Sequence, residues 1–189
     1  MPRISHGACG RIAALVRNER GSAAVEFAVI LPIMLTLFFG TIEFSSGIAV
    51  DRKVTLVART LSDLVSQSSC VDDTMLTSFT NTGKAIMTPY STTPLNSTVT
   101  ELFVDPATST AKVQWSKGSA PRGNGTTVSI PSALLINGTY LIYSEVNYQY
   151  VPTIGYVMAK SGVNLSDYTY TRPRLGLSVT YNAGTCPTS

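Results

Sequence analysis

Residues 27–42 contain no charged side chain, and back to Ser22 the apolar stretch is broken only by Glu26. A bilayer core takes about 20 helical residues, so this stretch spans a membrane once. One helix is thereby committed to lipid, and the rest of the chain must build its core beside it. The run exceeds the apolar region of a secretory signal, about 7–15 residues, and no small-x-small cleavage site closes it, which favours a retained anchor. Pro32 lies inside the run. It removes one helical N–H, predicting a kink or local loosening between Ala28 and Pro32 that membrane helices tolerate. Glu26 is harder to accommodate, since a charged residue at mid-membrane costs about 2.5–3.5 kcal/mol on insertion scales.

The residues around Glu26 read Arg20-Gly21-Ser22-Ala23-Ala24-Val25-Glu26-Phe27, and the stretch from Gly21 to Phe44 is GSAAVEFAVILPIMLTLFFGTIEF. This segment resembles the N-terminal signature of TadE-like proteins, the minor pilins or pseudopilins of the tight-adherence (Tad) pilus machinery. The resemblance is carried by Arg20-Gly21, the small residues after it, Glu26-Phe27, Pro32 in the apolar run, and a second group of Gly40, Glu43 and Phe44. It implies that a membrane aspartic prepilin peptidase cuts between Gly21 and Ser22, and that Glu26 and Phe27 serve processing or assembly. Cleavage would free a cationic amine on Ser22, one helical turn from Glu26 on the same face. Glu26 then pairs with its own chain's amine or with that of an adjacent subunit. A third reading places it about 6 Å from the helix start, snorkelling to the headgroups and favoured by the positive end of the helix dipole.

The formal charge of +3 is concentrated in residues 1–21, where Arg3, Arg11, Arg17 and Arg20 face Glu19; the remainder carries ten basic and ten acidic residues. No basic patch outside this leader argues for nucleic acid. The sole histidine, His6, also lies in the leader, so a mature chain has no means to build a Ser-His-Asp triad, a Cys-His pair or a histidine-ligated zinc site. Glu101, Asp105, Glu145 and Asp167 form no acidic motif and read as solvated surface charges. No catalytic residue, metal or cofactor is expected. Loss of Cys9 with the leader leaves Cys70 and Cys186, which we expect to form a disulfide in an oxidising compartment. The competing reading is two thiols that never meet.

Beyond the span, Val50, Val54, Val57, Leu61, Leu64 and Val65 recur at helical spacing between charged residues, predicting an amphipathic continuation to about residue 68. Asp72-Asp73 ahead of Met75, Leu76, Phe79, Ile86 and Met87 predicts a second helix, capped by aspartate and stopped by Pro89, with Gly83 weakening it. From about residue 95 the composition turns to Thr, Val, Tyr and Ser, with candidate strands at 99–104, 111–116, 127–130, 134–136, 139–150 and 175–181. Asn137-Gly138 signals a hairpin. Val146, Tyr148 and Tyr150 alternate with Glu145, Asn147 and Gln149 in a tyrosine-rich strand that reads as an edge and ends at Pro152. Residues 153–174 are expected to form a long loop, with Tyr156, Tyr168 and Tyr170 as a contact surface or as local packing. The four Asn-x-Ser/Thr sites at Asn96, Asn124, Asn137 and Asn164 are incidental.

The fold class expected is α+β, pilin-like: a long N-terminal helix, half transmembrane and half amphipathic, packed on an antiparallel β-sheet domain. The expected divisions are a leader at 1–21, a transmembrane helix at 22–43, an amphipathic extension at 44–69 and an extracytoplasmic domain at 70–189. Basic residues flank the span on both sides, Arg20 closest of all. With the cysteines it orients the N-terminus to the cytoplasm and the C-terminal domain to the periplasm of a bacterial inner membrane. The resemblance implies a minor pilin or pseudopilin, not an enzyme, whose partners are the prepilin peptidase, other pilins and pilus assembly platform proteins, and which is incorporated into a surface pilus or stays at its base. The competing reading is a single-span signal-anchored envelope protein whose outer domain binds a ligand or a surface.

Overall fold

The computed structural model describes residues 19–152 and 162–187. The leader up to residue 18, with His6 and Cys9, and residues 153–161 of the expected loop, with Tyr156, lie outside them.

One uninterrupted helix, α1 (Glu19–Ser66), contains both the apolar run and the amphipathic continuation. The two halves differ in what they touch. Side chains from residue 21 to residue 39 are exposed, whereas Val50, Val54, Val57, Ala58, Leu61 and Val65 are buried at 0–1% exposure. Their spacing of three, four and one puts them on a single stripe, and that stripe faces the sheet.

The strands are β1 (Cys70–Val71), β2 (Leu95–Asp105), β3 (Thr110–Gly118), β4 (Thr127–Val128), β5 (Tyr140–Tyr150), β6 (Val163–Thr171) and β7 (Thr180–Tyr181); a second helix, α2 (Asp73–Ile86), lies between β1 and β2. The main sheet is antiparallel throughout, in the order β4-β3-β2-β5-β6. The small parallel pair β1/β7 ties the end of α1 to the C-terminal segment. The architecture is the α+β one expected, with helix on one face of the sheet and irregular chain on the other.

Each face has its own core. On the helix side, the α1 stripe packs with Val99, Trp115, Ile142, Val146, Tyr148, Tyr150 and Val179. On the far side, Leu102, Val104, Ala111, Val113, Leu141 and Tyr143 are covered by Ile130, Val128, Leu134 and Leu135. A register shift between Glu101 and Leu102 in the β2/β3 ladder lets Trp115 face the helix while Val113 faces the second core.

Five sequence expectations change. The loop foreseen at 153–174 contains β6, which pairs along its whole length with β5, from Ile142↔Thr171 to Tyr150↔Val163. The strand escapes notice because its helix-facing positions alternate Leu165 with Asp167, Thr169 and Thr171, so no apolar period marks it. The tyrosine-rich β5 is consequently an interior strand, flanked by β2 and β6. Residues 134–136 are no strand: a 3₁₀ turn at Ser132–Leu134 packs Leu134 and Leu135 onto the far core instead. Asn137-Gly138 does turn, with Gly138 at φ +75°, but it closes against β2 through Gly138 N–H to Val104 O at 2.9 Å rather than joining two strands. Finally, of 175–181 only Thr180–Tyr181 is strand.

The second helix forms as read. Asp72 caps it, its Oδ1 accepting from Met75 N at 2.8 Å, and it ends at Ile86, ahead of Pro89. Lys53 of α1 closes its other end, Nζ donating to Ile86 O at 2.7 Å and Thr88 O at 2.8 Å, a cation at a helix C-terminus.

Candidate functional site

The N-terminal half of α1 brings the sequence-predicted residues into one exposed apolar rod. Phe27 is 62% exposed, and Val25, Val29, Ile30, Ile33, Met34, Leu37 and Phe38 are likewise open. This helix is long and apolar enough to cross a membrane, and no part of its apolar stretch is buried. Glu26 lies on the same rod, and Ser22 Oγ donates to its Oε1 at 3.1 Å. The carboxylate therefore reaches back one turn towards the residue that follows Gly21, as the spacing requires. Among the described residues a Cβ on Gly21 would meet nothing within 4 Å, so their packing does not call for glycine there.

Pro32 leaves the helix continuous, while its missing N–H deprives the Ala28 carbonyl of its usual donor. Two threonines manage their own polarity by bonding back one turn: Thr36 Oγ1 donates to Pro32 O and Thr41 Oγ1 to Leu37 O, each at 2.8 Å. Such back-bonding hides a hydroxyl from hydrocarbon.

Where the rod meets the domain, Glu43 is buried at 3% exposure, with Phe44 63% exposed beside it. Burial first, then Tyr90 and the Glu43 carboxylate, push the Tyr150 hydroxyl pKa above its ordinary value. The Glu43-Phe44 pair thus has opposite environments. The glutamate belongs to the joint with β5, and the phenylalanine edges an open groove with Tyr150, Val163 and Leu165.

Cys70 and Cys186 form a disulfide, closing a sequence separation of 116 residues. Asp72 supports both ends of this joint: besides capping α2, its Oδ2 accepts from Cys186 N at 3.3 Å. Those backbone hydrogen bonds, that of Met75 foremost, hold its pKa below the usual carboxylate value.

Of the acidic residues read as solvated charges, Glu101, Glu145 and Asp105 are engaged within the fold. Glu101 is 3% exposed on the central strand and accepts from Val179 N at 2.6 Å. Glu145 receives both Nη atoms of Arg122 and, at 2.9 Å, the hydroxyl of Tyr143. Partial burial pushes its carboxyl up, but the Arg122 and Tyr143 hydrogen bonds outweigh this and hold it low. Tyr143 in turn stacks on Tyr170 at 4.6 Å between ring centroids, and Tyr168 meets both rings edge-on. Asp105 pairs with Lys112 at 2.6 Å. These carboxylates hold separate parts of the fold together and do not converge on one cleft.

A cleft of about 320 Å³ lies between α2 and the β2/β3 hairpin, floored by Leu61, Val65, Leu76 and Phe79 and edged by Lys84 and Lys117. Among the described residues no three His, Cys, Asp or Glu side chains gather as metal ligands would.

The model of the TadE-like protein family matches residues 21–62, from the glycine before the apolar rod to the docked half of α1. No curated relative and no solved structure matches the chain. The match covers the N-terminal helix alone, and that helix is long and apolar enough to anchor the chain in a membrane by a single pass.

Proposed function

Taking the TadE-like match over α1 as premise, we propose that this chain is a minor pilin or pseudopilin of a Tad-type pilus, processed after Gly21 and acting in pilus assembly or adhesion. The observation that carries this reading is the pairing of a glycine that no described neighbour calls for with an exposed carboxylate five residues beyond it, at the head of a bare apolar rod. An ionised Glu26 on such a rod is costly in lipid unless a cation meets it. Cleavage between Gly21 and Ser22 supplies one, the new α-amine, within reach of the position Ser22 Oγ occupies now. In the same reading, residues 1–21 are the leader, 22–43 the transmembrane segment, 44–69 the extension docked on the sheet, and 70–189 a periplasmic domain closed by Cys70–Cys186. The prepilin peptidase, other pilins and the assembly platform are its partners, and the inner membrane its first location.

The test is the N-terminal residue of the protein recovered from membranes, for wild type, Gly21→Ala and Glu26→Ala. The expected result is a mature chain starting at Ser22, with Gly21→Ala uncut; Glu26→Ala then separates processing from assembly. An intact leader on every variant, with an active peptidase present, overturns the reading.

A further inference from the structure

The C-terminal strap crosses the helix side of the sheet and is pinned at two places. At Arg174, the backbone N–H donates to Ser66 O at 2.8 Å and the guanidinium pairs with Asp63 at 2.5 Å. At Val179, sheet side chains take both backbone polar groups: Glu101 Oε1 accepts the N–H at 2.6 Å, and Trp115 Nε1 donates to the C=O at 2.7 Å. Between the pins, Leu175 and Leu177 stand in water at 69% and 88% exposure. After them, β7 pairs with β1 and Cys186 closes the disulfide.

Glu101 is an unusual pin. It comes from the central strand, is 3% exposed, and takes part in none of the ion pairs among the described residues. Its surroundings on the same face are Val99, Trp115, Ile142 and Val179. We propose that Glu101 is a proton-operated latch: as the neutral acid it holds Val179 on the sheet, and on ionising it loosens the strap and frees the Leu175–Leu177 loop to move.

Two effects oppose each other on ionisation. A charged acceptor strengthens the Val179 N–H bond, but a carboxylate walled by apolar groups loses hydration that one amide does not replace. Burial prevails, pushing the carboxyl up to about 7 against the Val179 and Trp115 hydrogen bonds that pull it down. Water reaches the charge most directly if the strap lifts. The charged and titratable groups on the neighbouring elements are engaged elsewhere. Lys117 of β3 lies 3.6 Å from Asp73 of α2 and 4.3 Å from the Tyr181 ring centroid, and its pKa is raised, so it stays cationic. Asp63 of α1 pairs with Arg174, and the β5 neighbours Ile142 and Ser144 carry no charge.

Trp115, the only tryptophan in the chain, sits in the latch and reports on it directly. The experiment is intrinsic fluorescence of the full chain in detergent from about pH 5.5 to 8.5, wild type against Glu101→Gln, together with hydrogen exchange at the Val179 amide corrected for intrinsic rates. Glutamine keeps the accepting oxygen and never ionises. The expected result is a reversible red shift with a midpoint near 7 in wild type. From about pH 5.5 up to that midpoint, Val179 protection should fall about tenfold per pH unit, the slope of a one-proton linkage, and then level off. Glu101→Gln should show neither change. The same transition in Glu101→Gln, or constant fluorescence and constant Val179 protection in wild type, overturns the latch.

Discussion

Ser62 Oγ lies 2.6 Å from Thr171 Oγ1, joining the docked half of α1 to the last residue of β6 across 109 positions of sequence. Thr171 Oγ1 also donates to Ser62 O at 3.1 Å, and Ser62 Oγ reaches Ile142 O at 3.3 Å. A serine at 0% exposure inside an apolar stripe is costly unless bonded, and here every available partner is used. Replacing Ser62 with alanine should cost about 1–2 kcal/mol in chemical denaturation. The double variant Ser62→Ala/Thr171→Val should cost less than the sum of the singles, because the second change removes a hydroxyl the first has stranded. Strict additivity would show that the pair does not hold helix to strand.

Gly83 sits on the α1 side of α2, where a Cβ would lie 3.1 Å from Val57 Cγ1 and 3.7 Å from Leu61 Cδ2. Gly83→Ala gains about 1 kcal/mol of helix propensity and spends part of it on a slight shift of Val57, so the net change in melting temperature should be small. Gly83→Leu has no such margin and should lose about 1–3 kcal/mol by overpacking. A thermal scan of the two variants separates a spacing role from a mere weak point in the helix.

Gly83 also shows where sequence reasoning stops. Read along the chain it weakens a helix; read across the fold it is the place where two helices touch, and only the tertiary contact reveals which matters. The α1 stripe was legible because a 3.6-residue period of valines and leucines has one physical solution. So were the Asp72 cap and the alternating β5, each a local rule obeyed locally. β6 was missed because its inward side chains, Asp167, Thr169 and Thr171, face a helix that offers Ser62 instead of an apolar surface. Glu101 was missed for a related reason. Its burial comes from Val179, 78 residues away, and no window of sequence around either residue signals the other.

The Cys70–Cys186 disulfide closes a loop of more than a hundred residues around the whole sheet. In the chain-entropy account, a loop of that length restricts the unfolded chain enough to stabilise the fold by about 4–5 kcal/mol. Cys70→Ser/Cys186→Ser should therefore lower the denaturation midpoint by a large fraction of total stability, with unfolding in reductant reproducing the effect in wild type only. The β1/β7 pair should fray first, since it is two residues long on each side and lies next to the bond. Equal midpoints with and without reductant in wild type would mean the bridge contributes nothing.

Glu101 makes stability depend on pH in a direction opposite to that of an ordinary salt-bridged carboxylate. Its folded value is raised to about 7 from 4.5. The folded state therefore holds the proton more tightly, and the stabilisation is complete below about pH 4.5 and lost as pH rises through about 7. The linkage is worth up to about 3 kcal/mol, from 1.36 kcal/mol per pKa unit, before any lifting of the strap relieves it. Wild type should lose stability steadily between about pH 5 and 7 and then level off, whereas Glu101→Gln should give a curve lacking that descent. At about pH 8 the glutamine variant should be the more stable of the two, since it keeps the Val179 hydrogen bond without a buried charge. Urea titrations at three pH values are enough to decide: parallel curves for the two proteins would mean that Glu101 is not neutral in the fold.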